Sequence, residues 1–437
     1  MTATLLRASL LAILSVPLLA QPTPEGMTAT VVPLPANAST PLRLPNGDLC
    51  WFDGDEVLRQ APGQPAVSLL QLPAPVFASF LVPVDGNRLL FGEASSHRLW
   101  LVPLQGPAPT QPLATATWNY DAVALDGQRA LVSAKTGGFG SPDNDLVVVD
   151  LTTGATATVA LLPGASGPVA LAPDGDLYYA TASLAFPTPP GQTSVLRLRR
   201  AVLDAAITNG TVLGLADAEL VFAGLDAASD LALDDDGDLL FTDWFHNQVG
   251  EVHDATGPAP WLGTPLLDHG SAPGAASLQF LPSPTPGTGV FEPFQPGSSL
   301  LVVFETDFAQ SHALRCVQPR QAVLTTNLPS PLPTGSVNFV VSGGPTVGVG
   351  LLAITLDTTP GLVTITLPGS EQPLGLAAAL FGNAILWPDL FDAQGTLTIP
   401  VTNPGFPLPT AATAQALLLS VNGVFGVSSV LQPTFGS

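Results

Sequence analysis

Positive charge is nearly missing from this sequence. One lysine, Lys135, stands among 437 residues; Lys and Arg together number 12 against 34 Asp and Glu, for a formal net charge of −22. Such a surface repels a phosphate backbone, which excludes nucleic acid as a partner. It favours cationic partners, divalent metals and solubility outside the cell. Cysteine is scarce as well. Cys50 and Cys316 are the only two, so no Cys-x-x-Cys redox pair exists. His246, His253 and His269 are close in sequence but at no zinc-motif spacing. With one lysine, Lys135-Thr136-Gly137 has no Ser-x-x-Lys partner for β-lactamase-type chemistry. Ala134 before Lys135 excludes a P-loop, and the run from Gly164 to Pro168 is no nucleophile elbow. Pro and Gly are so frequent that no amphipathic helix is expected between residues 30 and 320.

What is present begins with an export signal. Arg7 precedes an apolar run from Ala8 to Ala20, followed by a Pro-rich polar stretch. That is the pattern of a secretory signal peptide, expected over residues 1–20. The run is shorter than the ~20 residues of a membrane span, and no later run reaches that length. A secreted protein of the periplasm, cell surface or medium is the expectation.

The rest is repetitive. LALDDDGDLLFT (231–242) is echoed by PVALAPDGDLYYAT (168–181), TPLRLPNGDLCWFD (40–53), FLVPVDGNRLLFGE (80–93) and DAVALDGQRALVSA (121–134), and weakly by EPFQPGSSLLVVFETD (292–307). The turn glycines Gly47, Gly86, Gly127, Gly175, Gly237 and Gly297 are spaced by 39, 41, 48, 62 and 60 residues. Propeller blades repeat every ~40–50 residues. Each unit reads strand, Asp-Gly or Asn-Gly turn, strand, polar loop, strand, turn, strand. The Gly dipeptides predict type I′ hairpins. Four strands in each of six units predict an all-β fold, a six-bladed β-propeller over residues 28–318. Residues 28–34 can supply the outer strand of the last blade. In such a ring Cys50 and Cys316 fall in neighbouring blades, and a disulfide between them is expected, worth up to ~5 kcal/mol. From Gln318 on, short apolar strands almost free of charge predict a small β-sandwich over 319–437, a module for attachment or interaction.

SDLALDDDGDLLFTDWFHNQVGEV (229–252) resembles an NHL repeat, with Asp234, Gly237, Asp243 and Asn247 where that pattern wants them. NHL propellers are similar in architecture to the SMP-30/gluconolactonase propellers. The resemblance implies a metal held by a Glu of the first blade, an Asn of an Asn-Gly pair and an Asp of a Pro-Asp-Gly motif. This chain has Ser39-Thr40-Pro41, Ser166-Gly167 and Ala228-Ser229-Asp230 at those places.

Candidate chemistry lies at the ends of strands. DDDGD lacks the acid at position 232 and the distal Glu of a calcium loop, so Asp235 and Asp236 are read as turn residues. Asp53, Glu93, Asp243 and Asp307 fall at equivalent places after the second strands. They are candidates for a divalent cation such as calcium, or for capping their own hairpins. Tyr120, Asp121 and Asp230 lead into innermost strands, and Trp244 and His246 share the loop of Asp243; these are the ligand candidates. The expected function is a non-catalytic binding or scaffold protein, taking a protein, glycan or small molecule on the propeller face. The alternative is a metal-dependent lactonase or hydrolase at the channel mouth.

Overall fold

The computed structural model describes residues 27–138, 142–165, 167–181, 189–234, 237–263, 265–270, 274–281, 300–306, 311–319, 322–345, 347–365, 374–381, 383–420 and 425–436. The signal segment and Asp235, Asp236, Gly297 and Asp307 therefore lie outside the described residues.

Six antiparallel sheets follow one another from Met27 to Pro319. Their first strands are Ala38–Arg43, Ala78–Asp85, Asp121–Ala124, Val169–Leu171, Leu231–Leu233 and Gly274–Leu281. In the first five sheets the strands lie side by side in chain order, and the fifth carries one extra short strand, Leu267–Asp268. The sixth takes its outer strand from the other end of the segment: Met27–Pro33 pairs antiparallel with Ser311–Pro319, Met27 opposite Pro319. Each first strand touches the first strand of the next sheet, and that of the sixth touches that of the first. The result is a propeller-like ring.

The second strands explain why the sheets stack. Leu49–Asp53, Arg88–Glu93, Arg129–Ala134, Leu177–Ala180 and Leu239–Asp243 are buried almost throughout. A strand covered on both faces needs a continuous apolar run rather than alternation. Between successive sheets lies one apolar cluster: Leu42, Phe52, Leu81 and Phe91 join the first two, for example. Phe52 and Phe91 stack there with ring centroids 4.8 Å apart. The series ends with Leu49 and Trp51 of the first sheet packed against Val302, Phe304 and Cys316 of the sixth.

That alternation corrects the disulfide expectation. Cys50 and Cys316 are both free and buried. Cys50 points with Leu42 and Phe52 toward the second sheet. Cys316 packs with Leu49 and Trp51, its neighbours' opposite face, toward the sixth. Successive side chains of a strand leave opposite faces, so the first sheet itself stands between the two thiols.

Two further expectations need correction. The described turns at Gly47, Gly86, Gly127 and Gly175 are not type I′, which needs positive φ at both central residues. Positive φ falls on Gly47 and Gly175 (88° each), not on Asn46 or Asp174 before them. The repeated acid or Asn makes an Asx turn instead. The side-chain oxygens of Asn46, Asp85, Asp126 and Asp174 each accept the backbone N–H two residues on. A helix also exists where none was expected, Arg200–Asn209, between the third and fourth strands of the fourth sheet. It buries Leu203 and Ala206 and ends on Gly210 in the left-handed conformation. One turn of spacing between one leucine and one alanine is too weak a periodicity to stand out from an apolar background.

Beyond residue 322 one sheet holds Val323–Thr326, Gly335–Ser342 and Leu397–Asn403. Another holds Gly348–Thr355, Ile385–Leu390, Thr413–Ser420 and Phe425–Val427. Phe339 and Ile399 of the first share a core with Leu352 and Leu418 of the second.

Candidate functional site

The loops after the second strands and the residues before the first strands lie at one end of the ring, because the two strands are antiparallel neighbours. Ser229 N–H donates to Thr242 O at 2.8 Å, which puts Asp230 and Asp243 at the same end of the fifth sheet.

Nearest the axis are Tyr120, Asp121 and Asp230. Asn119 anchors the approach: buried, it donates from Nδ2 to Glu93 O and Ala116 O, both at 3.0 Å. Tyr120 then extends from the third sheet and its hydroxyl donates to Ser229 O of the fifth at 2.9 Å. These sheets are not neighbours, so this bond crosses the ring. Asp121 Oδ1 accepts from Ala122 N–H and Oδ2 from Val169 N–H, both at 2.8 Å. Asp230 repeats the device, with Leu231 N–H at 2.8 Å and Leu278 N–H at 2.7 Å. Each carboxylate thus ties its own sheet to the next. Tyr120 remains 37 % exposed, so water reaches its side chain even though protein surrounds it.

Burial dominates the proton affinity of the pair. It raises Asp121 to about 6 against the pull of two backbone amides. It raises Asp230 well above the ordinary carboxyl range, and the charge of Asp121 raises it further. Tyr120 is pushed up by burial and then by both acids. Two like charges near enough to interact in a poorly solvated space cannot both ionise freely.

Farther out, the loop acids serve their own hairpins. Glu93 is fully buried and accepts from Ser96 Oγ and Trp100 Nε1. Asp243 Oδ1 accepts from Phe245 N–H at 3.0 Å and His246 N–H at 3.1 Å, while Oδ2 holds His246 Nδ1 at 2.6 Å. His246 Nε2 lies 3.8 Å from Asp226 Oδ2. The Asp243 hydrogen bond raises the proton affinity of His246, which is exposed. One ligand atom from each of Asp226, Asp243 and His246 lies within 4.8 Å of the others. Trp244 is half-buried beside them. Asp53, at the end of its strand, is half-buried in the first sheet, away from this cluster in sequence and sheet. The structure therefore brings together Tyr120 with Asp121 and Asp230, and Asp243 with His246. It does not gather Asp53, Glu93 and Asp243 into one ring of ligands. Asp226 was not anticipated; it lies in the passage between the fourth and fifth sheets, where no repeat position marks it.

DDDGD is a turn. Asp234 Oδ1 accepts from Gly237 N–H at 3.1 Å and Asp238 N–H at 2.9 Å. Lys135 is fully buried, its Nζ donating to Asp143 O at 2.9 Å and Gly164 O at 2.8 Å. It fastens a loop and presents no amine to solvent.

No family model matches the chain, and no curated protein matches it. Solved structures do. A gluconolactonase of Xanthomonas campestris is 15 % identical over 67 % of this chain and 94 % of its own, with a TM-score of 0.42. A calcium-binding protein, regucalcin, of Agrobacterium tumefaciens is 15 % identical over 66 % and 95 %, TM-score 0.43. A luciferin-regenerating enzyme is 12 % identical over 66 % and 95 %, TM-score 0.45. The likeness is one of nearly all-β, propeller-like architecture.

The metal site implied by the gluconolactonase resemblance does not fit the axial residues. Both oxygens of Asp121 and of Asp230 already accept backbone amides. The places of the Glu and the Asn carry Ser39-Thr40-Pro41 and Gly167 among the described residues. Calcium asks for six to eight oxygens, and two such carboxylates offer at most four, each already accepting an amide.

Proposed function

We propose that the six sheets are the blades of one β-propeller over residues 28–318, that residues 319–437 form a β-sandwich, and that the chain is exported behind a signal peptide. On this reading it is a binding protein whose site is the axial end with Tyr120, Asp121 and Asp230. The observation that carries it is the bond from Tyr120 to Ser229, which brings two carboxyls of raised proton affinity together across the ring. In such a pair a protonated carboxyl donates a hydrogen bond and an ionised one accepts. A phenol beside them completes a set suited to a small ligand rich in hydroxyls, a sugar or its lactone.

Titration calorimetry with monosaccharides, sugar lactones and calcium tests this. Sugar or lactone heat that disappears in Asp230→Asn supports axial binding. No heat from any hydroxylated ligand overturns it. Calcium heat lost in the same variant, with lactone hydrolysis that needs calcium, supports instead the metal-dependent lactonase reading.

A further inference from the structure

The hydrogen-bond donors around the axial acids are already spent. Ala122 and Val169 N–H go to Asp121, and Leu231 and Leu278 N–H go to Asp230. Ser229 O is an acceptor only, so the Tyr120 hydroxyl gives its one proton there. The phenol oxygen keeps lone pairs of its own. Each carboxylate has about four lone-pair sites and gives one to each of its two amides. With both acids ionised, these three side chains offer a ligand acceptors alone.

The arginines do not answer that charge. Three of them sit at the opposite, turn end of the sheets, each beside the acid of its own turn: Arg59 on Asp48, Arg88 on Asp85 at 2.6 Å and Arg129 on Asp126 at 2.7 Å. Among the described lysine and arginine residues toward the axial end, Lys135 is buried on two carbonyl oxygens and Arg315 is buried on Glu305. Arg98 opens the third strand of the second sheet, Arg98–Pro103, two strands out from the axis. The charges that act on Asp230 and Tyr120 are carboxylates. A cleft lined by one sign of charge draws the other.

A second observation is a buried hydroxyl. Thr242 stands opposite Asp230, its N–H donating to Asp230 O at 3.1 Å. Leu240 packs toward the sixth sheet, and Thr242, two residues on, leaves the same face. Asp230 reaches Leu278 of the sixth sheet on that face too. Thr242 is fully buried, and its Oγ1 makes no hydrogen bond among the described residues. The same place in the third sheet holds Ser133, opposite Asp121, whose hydroxyl is met by Asn144 Nδ2 at 3.2 Å. A buried hydroxyl left unpaired is costly. Beside Asp230 it is a further oxygen for a group that enters past that carboxylate.

On the reading that the axial end binds a small hydroxylated ligand, we propose that this ligand is an amino sugar whose ammonium group is received by Asp121, Asp230 and Tyr120, with Thr242 Oγ1 as the innermost acceptor. An ammonium carries three donors and no acceptor, the complement of a set whose own donors are spent. It asks one lone pair of each partner, where calcium asks six to eight oxygens. Its charge offsets the repulsion between the two acids, and charge-assisted hydrogen bonds are roughly twice as strong as neutral ones.

Titration calorimetry of the full chain at neutral pH compares glucosamine with glucose and N-acetylglucosamine, which lack the charge. Glucosamine is expected to bind about tenfold tighter or more. Asp230→Asn removes the preference, and Thr242→Val weakens glucosamine severalfold; melting midpoints establish that both variants fold. Equal binding of the three sugars overturns the amine assignment and leaves the axial reading standing. No heat from any of them overturns that reading as well. A preference for glucosamine that survives both substitutions also overturns the proposal, because it places the cation on the outer acids Asp226 and Asp243.

Discussion

Replacing Asp121 with Asn isolates the energetic consequence of the axial pair. Its carboxyl is raised by burial from 3.8 to about 6. The folded protein therefore holds a proton that the unfolded chain has already released between those two values. Stability falls as pH rises through that window and then levels off. Raising a carboxyl from 3.8 to about 6 corresponds to about 3 kcal/mol. Water entering along the axis screens part of it, so about 1–3 kcal/mol is the working range. Asn keeps one oxygen acceptor but cannot ionise. Below about pH 4 the variant is the less stable protein, because one of the two amide bonds, to Ala122 or Val169, is lost at roughly 1 kcal/mol. As pH rises to about 7.5, the difference moves in the variant's favour by about 1–3 kcal/mol. Urea unfolding of both proteins at matched pH values measures this, and the subtraction removes the titrations common to both, leaving that of Asp121 together with its effect on Asp230. A difference that stays constant across the range refutes the reasoning, because it means Asp121 ionises alike in the folded and unfolded chains.

Other outcomes follow from single sites. Gly167→Ala forces a Cβ to within 1.9 Å of Ala180 O, and a loss of several kcal/mol is expected in the same unfolding assay. Phe91→Ala, which empties the stack between the first two sheets, costs about 3–5 kcal/mol. The Cys50 thiol is pushed by burial to about 12 and Cys316 is itself buried, so a thiol reagent finds neither until denaturant is added, and then finds two; reducing agent leaves the melting midpoint unchanged. Hydrogen bonds from Arg199 and then Arg197 hold Glu219 at about 2. Its contribution is present above the ordinary carboxyl range and is lost as pH falls through it. Because Glu219 is 45 % exposed, Glu219→Gln costs less than ~1 kcal/mol, and salt shrinks the effect.

Much of the architecture was legible because it is written in short-range signals. Asp or Asn before Gly marks a turn through a bond two residues long, as Asn46, Asp85, Asp126 and Asp174 each demonstrate. Apolar runs mark strands covered on both faces. The chain-terminal strand Met27–Pro33 could be assigned to the sixth sheet because a ring that starts and ends in one sheet needs an outer strand. The helix Arg200–Asn209 was not legible, since its buried face is only Leu203 and Ala206. At the site, Tyr120, Asp121 and Asp230 were visible as polar residues leading into innermost strands. Their convergence was not.

The sequence by itself marked most of the strands and the places of the turns between them, because each depends on residues only a few positions apart. Only the tertiary structure decided which face each cysteine takes, that Tyr120 reaches Ser229 across the ring, and which acids share a space. Those outcomes depend on how the sheets stack around an axis, and contacts between residues 109 positions apart leave no pattern in the chain that joins them.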